Sequence, residues 1–225
     1  MAPTSLSKCA AEFIGTFTLV FVGAGTVCLS AIPGTHNLLS IAIAFGLTVA
    51  AMICTIGHIS GAHINPAVTF ALLITKKIEP PLAIGYVIAQ MAGATFAAFV
   101  LKEMFAPGIW DAVHLGTTTP GHGFTPMATF YLETILTFFL VFVIFGSAVD
   151  KRGANTICAL AIGATVTLDI LLGGPLTGAS MNPARTFGPA LMSGTWTAHW
   201  AYWAGPLLGA ALAALSYTHF IGKSE

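Results

Sequence analysis

Two asparagines carry the chemistry open to this sequence. Asn65 stands in Ser60-Gly61-Ala62-His63-Ile64-Asn65-Pro66-Ala67-Val68, and Asn182 in Thr177-Gly178-Ala179-Ser180-Met181-Asn182-Pro183-Ala184-Arg185. In each stretch a glycine-containing loop runs into Asn-Pro-Ala. Asn is a favoured helix N-cap, and Pro suits the first helical position because its missing N–H would be unbonded there anyway. Each motif therefore predicts a helix start, where unpaired N–H groups and a partial positive charge gather. The capping oxygen is committed to the helix backbone, which leaves the side-chain NH₂ as a donor. Donors of this kind hold a small neutral molecule rather than break its bonds. No nucleophile–base set or metal-ligand spacing accompanies them, so the expectation is no catalytic residue, no metal and no cofactor.

The elements that position these donors belong to a membrane. Of 225 residues, 56% are hydrophobic and 7% charged, with a mean hydropathy of +0.87. Soluble domains carry about 25% charged residues, so lipid is the main solvent here. Eight basic residues balance eight acidic ones, which gives no reason to expect a nucleic-acid partner. A bilayer-spanning helix needs about 20 apolar residues. Six runs meet that length: Cys9–Ile32, Leu38–Gly57, Pro81–Ala106, Met127–Val149, Asn155–Gly174 and Ala198–Gly222. The first is too long for a signal-peptide core and is expected to be retained. The segments after the two motifs, Ala67–Thr75 and Ala184–Met192, are too short to cross and predict half-helices. Cys9, Cys28, Cys54 and Cys158 fall in or beside apolar runs and read as packing residues.

The chain repeats itself. Glu12 to Val22 matches Glu133 to Val143, and Asn65/Asn182 and Gly93/Gly209 recur at nearly the same offset. Each half reads span, span, loop with half-helix, span. Three spans per half is odd, so the second half enters from the opposite face and the half-helices approach each other from opposite sides. The expected fold is an all-α membrane protein with six transmembrane helices and two re-entrant half-helices in an inverted repeat. It forms one channel domain over residues 1–225, with halves of about 5–106 and 127–222. If the chain starts inside, Lys8, Lys76, Lys77, Lys151, Arg152 and Lys223 all lie on one side and Lys102 alone on the other. That bias predicts cytoplasmic termini, with the polar stretch Pro107–Pro126 outside; a multi-pass protein of the plasma or cell membrane is expected.

With Asn-Pro-Ala at both Asn65 and Asn182, and Arg185 after the second copy only, the sequence resembles the aquaporin (major intrinsic protein) family from Glu12 to about Tyr217. The resemblance implies one pore per subunit, a homotetramer in lipid, and water as what passes, with small neutral solutes as a further expectation. It maps the narrowest point of the pore onto Phe45, Ile170, Ala179 and Arg185; Phe45 lies 20 residues before Asn65, and Ile170 lies 12 before Asn182. Ile170 departs from the His typical of strictly water-selective members, and the set is similar to prokaryotic, archaeal or vacuolar water channels. Thr186, where glycerol-conducting members usually carry Asp, favours the water branch.

The residues then take roles. Asn65 and Asn182 are expected to donate to one water oxygen, whose own hydrogens turn outward and break a proton wire. Two half-helix starts at mid-membrane disfavour cations, an effect familiar from aquaporin-type pores. Gly61, Ala62 and His63 on one side, and Gly178, Ala179 and Ser180 on the other, are the expected row of free carbonyls. Arg185 adds fixed donors and a positive charge. Glu12 and Glu133 are carboxylates within spans, expected to anchor the re-entrant loops through backbone N–H groups. Asp169 is expected to be protonated or loop-bonded, with a proton relay as the alternative. His63 is expected to line a vestibule and His58 to line it or pack. The leading function is a passive water channel that excludes protons and ions. A broader channel for ammonia, hydrogen peroxide or glycerol is the alternative, and a proton-coupled transporter using Glu12, Glu133 and Asp169 ranks behind both.

Overall fold

Helix starts follow their caps. In the computed structural model, which describes residues 3–222, Thr4 accepts from Ser7 N at the head of α1 (Ser5–Ser30). Asn37 and Ser40 form a capping box at the head of α2 (Leu38–Ser60). Proline fills the first turn of α3 (Pro66–Ile74), α4 (Pro80–Met104), α5 (Pro107–Trp110), α6 (Pro126–Ile144) and α8 (Pro183–Ser193). The remaining helices are α7 (Cys158–Thr177) and α9 (Ala201–Ser216). Wider turns extend α6 to Val149 and α9 to Ile221. Lys223 lies outside the described residues.

Among the described residues, six helices are long and apolar enough to cross a membrane: Ser5–Ser30, Leu38–Ser60, Pro80–Met104, Pro126–Val149, Asn155–Thr177 and Ala201–Ile221. The expected spans stand with ends moved by a few residues. The Thr4 cap starts α1 ahead of Cys9, and α7 passes Gly174 because its stop is Gly178, whose φ of 82° is left-handed. The half-helices are α3 and α8.

Packing treats the two halves alike. α1 packs on α4 as α6 packs on α9, α2 pairs with its counterpart α7, and α1 meets α2 as α6 meets α7. Each half-helix crosses over: α3 lies against α9, and α8 against α4. Exchanging the halves maps this set of contacts onto itself, the arrangement of an inverted repeat. Close approach is built from small residues. A Cβ on Gly46 would stand 2.4 Å from the Gly163 carbonyl oxygen, and one on Gly163 would stand 2.4 Å from that of Gly46. Any side chain there would push α2 and α7 apart.

The polarity is that of a lipid-solvated body. Leu47, Ile84, Ile88, Leu168 and Leu172 are exposed on the outer faces, while Glu12, Gln90, Glu133 and Thr137 are wholly buried. Asp150 and Arg152 form an ion pair of 2.7 Å beyond the end of α6, and Tyr217 Oη donates to the same carboxylate. The hydrogen bonds from Arg152 hold the Asp150 carboxyl well below the usual carboxylate range.

Candidate pore and selectivity site

Both re-entrant loops follow one backbone plan. α2 ends at Gly61 (φ 89°), followed by Ala62 at 48° and Ile64 at 45°; α7 ends at Gly178 (82°), followed by Ala179 at 45° and Met181 at 52°. Non-glycine residues in the left-handed region cost about 1 kcal/mol or more each, so the surroundings must hold them. Two carboxylates do so. Glu12 Oε1 accepts from Ser60 Oγ (2.6 Å) and His63 N (2.9 Å), and its Oε2 from Ile64 N (2.6 Å) and Gln90 Nε2 (2.8 Å). Glu133 Oε1 accepts from Thr177 Oγ1 (2.8 Å) and Ser180 N (2.9 Å), and its Oε2 from Met181 N (2.8 Å). Two N–H groups of each loop turn inward to a carboxylate, while those of Ala62 and Ala179 bond the hydroxyls of Ser60 and Thr177. Among the described residues no donor reaches the carbonyl of Gly61, Ala62, His63, Gly178, Ala179 or Ser180. Non-helical backbone is tolerated at membrane depth only where it is buried in protein or lines a water-filled cavity, and carbonyls without a protein donor fit the second case.

The two asparagines meet at the centre. Asn65 Oδ1 accepts from Ala67 N (2.8 Å), and Asn182 Oδ1 from Ala184 N (3.0 Å) and Arg185 N (3.3 Å). Their amide nitrogens cross over, Asn65 Nδ2 donating to Met181 O (2.8 Å) and Asn182 Nδ2 to Ile64 O (2.9 Å). The sequence reading aimed each NH₂ at a water in the lumen; in the structure one hydrogen of each amide ties the opposite loop down, which leaves one hydrogen outside that bond. The reason is proximity: the inverted halves bring each cap within hydrogen-bond reach of the other loop's last carbonyl.

A second network holds His63. Thr69 Oγ1 lies 3.1 Å from Asn65 O and 3.1 Å from His63 Nδ1, and accepts from Gln90 Nε2 (3.0 Å). The reversed Gln90 amide would set its oxygen against the Glu12 carboxylate, so this orientation of the amide is required. His63 is thereby tied through Nδ1 to Thr69. Its ring stands edge-on to Tyr86 at 5.0 Å and lines the central cavity.

Two cavities lie end to end. One, of about 220 Å³, holds both asparagines, Gly61, Ala62, His63, Ala179 and Ser180, with Val49, Leu140 and Val166 among its apolar walls. The other, of about 270 Å³, is lined by Gly116, Thr117, Thr118 and Gly178. Phe45, Ile170 and Arg185 border both, so these three form the partition. Ala179 faces the first cavity only, beside the partition. The Arg185 guanidinium lies over the Phe45 ring at 4.9 Å and donates through Nη1 to Gly116 O at 2.6 Å.

Comparison with known proteins decides the family. Residues 1–217 match the sequence profile of the major intrinsic proteins. The chain belongs to the major intrinsic protein family. Among its relatives, Aquaporin NIP1-1 of Zea mays is 43% identical over 94% of this chain and 74% of its own length. The Probable aquaporin TIP3-2 of Arabidopsis thaliana is 42% identical over 97% and 85%, and Aquaporin-4 of Mus musculus 42% identical over 93% and 65%. The X-ray structure of the aquaglyceroporin from Plasmodium falciparum superposes with a TM-score of 0.82 over 97% of both chains at 24% identity, a likeness of fold alone. The family is one of transmembrane channels, and with six apolar helices this member is an integral multi-pass membrane protein.

Beyond the two asparagines, the structure departs from the sequence reading at three places. Of the two states expected for Asp169, protonated or loop-bonded, the second is not found: its Oδ2 is buried without a partner, and Glu133 takes the loop N–H groups of Ser180 and Met181. His58 is exposed and borders neither cavity. The stretch Pro107–Pro126 is more than an outer loop. It carries α5 and a tight turn, and buries Leu115, Gly116, Thr117 and Thr118 beside Arg185. Its only sequence signal is Gly116 and the Thr-Thr-Thr run after it, which reads equally well as a solvated turn.

Proposed function

We propose that the protein is a passive channel for water that excludes protons and ions. The partition formed by Phe45, Ile170 and Arg185 carries the reading. It joins two cavities at a point narrow enough for an arginine to lie across an aromatic ring, with free carbonyls beside it. Ala179 completes the narrow point, and the carbonyls of Gly61, Ala62, His63, Gly178, Ala179 and Ser180 replace the bulk partners of a passing water. Asn65 and Asn182 each supply one donor at the midpoint, next to two positive half-helix ends. Glu12 and Glu133 anchor the loops. A proton-coupled transporter is disfavoured because these two carboxylates already accept four and three hydrogen bonds. The chain acts as one channel unit, residues 1–225 with halves 5–106 and 127–222, its termini cytoplasmic, in a homotetramer of the plasma membrane. Stopped-flow light scattering of proteoliposomes tests this. Osmotic water permeability should rise well above that of empty vesicles while proton leakage stays at background, and a proton current driven by solute would overturn the reading.

Passage of ammonia, hydrogen peroxide or glycerol is the second reading, favoured by the apolar Ile170 in the partition. The variant Ile170→His should narrow the opening and add a donor. Water can satisfy itself against Arg185 and the carbonyls, so its flux should change modestly. Ammonia should lose more, since a hydrogen-bonding site discriminates more sharply than an apolar one. The ratio of ammonia to water permeability is the measurement, and an unchanged ratio would remove Ile170 from the constriction.

A further inference from the structure

We propose that the hydroxyl pair Thr118–Thr186 is a latch that sets the opening at Arg185, which makes both threonines specificity-determining positioning residues. The proposal rests on the reading of Phe45, Ile170 and Arg185 as the constriction.

The carbonyl that holds Arg185 sits at the end of an unfavourable turn. His114, Leu115 and Gly116 take φ values of 50°, 55° and 72° in succession. Two of the three are not glycine, so local preference opposes the turn rather than forming it. Gly116 is also pressed against α1, where a Cβ would stand 2.9 Å from that of Ala24. Two residues later the chain is tied down. Thr118 Oγ1 lies 2.6 Å from Thr186 Oγ1, both side chains are buried, and Thr186 directly follows Arg185.

The hydroxyls of this cluster form one connected run. Ser180 Oγ lies 2.8 Å from Asn182 O, where it can donate. Thr186 Oγ1 touches both Ser180 Oγ and Thr118 Oγ1. With Ser180 donating to the Asn182 carbonyl, the run Thr118 to Thr186 to Ser180 has each hydroxyl donate once, and the Thr186 hydroxyl both accepts and donates.

These bonds close a ring around the constriction. Arg185 reaches Gly116 through its guanidinium, Gly116 reaches Thr118 along the backbone, and Thr118 returns to the residue beside Arg185. The segment is also held at Thr117, whose Oγ1 lies 3.1 Å from Ser193 Oγ, so breaking the Thr118–Thr186 pair removes the tie next to Arg185 and loosens the strained turn, and the guanidinium can then shift on the Phe45 ring. The first half has no counterpart. There Thr69, which matches Thr186, is occupied by His63 and Gln90, and no loop descends on it. A single latch fits a pore with one narrow point.

Proteoliposomes carrying the unmodified protein, Thr118→Val, Thr186→Val and Thr186→Ser provide the test, with glycerol and water permeability measured on each. Hydrogen–deuterium exchange is read at the amides of Thr117 and Gly121, which bond His114 O and Leu176 O. Both Val variants keep the shape and lose the hydroxyl. Their glycerol-to-water ratio should rise about fivefold, the factor carried by one buried hydrogen bond, and the two amides should exchange faster. Thr186→Ser should behave as the unmodified protein. If Thr186→Val does not fold, Thr118→Val decides, since it alters a loop. An unchanged ratio or unchanged exchange in Thr118→Val overturns the latch. Failure of the unmodified protein to raise water permeability would instead overturn the water-channel reading, and the exchange measurement stands apart from it.

Discussion

Glu133→Ala should yield no working channel. The substitution strips acceptors from Ser180 N, Met181 N and Thr177 Oγ1, all buried. An unsatisfied buried donor costs about 1–3 kcal/mol, so three cost roughly 3–9 kcal/mol against a total stability of about 5–15 kcal/mol. The loop also holds Ala179 and Met181 at positive φ, and without its anchor that strain has no counterweight. Glu133→Gln keeps one acceptor oxygen and should lie between the two. With one anchoring bond lost, at about 2 kcal/mol, its melting temperature should fall by about 4–8 °C. Thermal unfolding in detergent, followed by size-exclusion fluorescence, orders the three proteins. Glu133→Ala protein that melts and conducts like the unmodified chain would show that the carboxylate does not hold the loop.

Arg185→Val should open the partition and admit what it excludes. Removing the guanidinium takes away the group lying over Phe45 and leaves Gly116 O unpaired. Space lost to the side chain becomes lumen, so glycerol permeability should rise by tenfold or about that, more than in either latch variant. The charge goes too. A cation held about 4 Å from a fixed unit charge at an effective dielectric constant near 20 is repelled by about 4 kcal/mol, roughly a thousandfold in rate. The half-helix ends at Asn65 and Asn182 remain, so only part of that factor should appear, as a proton leak at least about tenfold above background. A pH-sensitive dye trapped in the vesicles reads the leak. If neither glycerol nor protons pass faster, the constriction lies elsewhere.

Much of this molecule can be read along the chain, because much of it is local physics. Apolar runs longer than a bilayer is thick become spans whatever their neighbours are. An Asn-Pro pair starts a helix by capping its own backbone, so the half-helices α3 and α8 were visible at Asn65 and Asn182. The odd number of spans per half requires inversion, and two matched motifs then require a meeting point. Even the loop anchors Glu12 and Glu133 were legible, since a carboxylate within a span needs donors and the nearest unpaired ones belong to the re-entrant loops.

What the chain alone left undecided depends on groups that meet only after folding. The division of each asparagine NH₂ between the opposite loop and the lumen requires the two halves to stand in contact. The His63 ring is held at Thr69, which Gln90 from another helix also bonds. Left-handed backbone at Ala62, Ile64, Ala179 and Met181 contradicts their own preferences and exists because carboxylates on α1 and α6 hold the neighbouring N–H groups. Of the two states expected for Asp169, protonated or loop-bonded, the second was lost because the loop donors had gone to Glu133. Gly116 and Thr118, far from Arg185 in sequence and unremarkable in composition, came to it only because an outer loop descends to the pore. Local sequence determines where helices start and how far they run; tertiary structure decides which donor reaches which acceptor, because that choice is a competition among groups that the sequence does not place side by side.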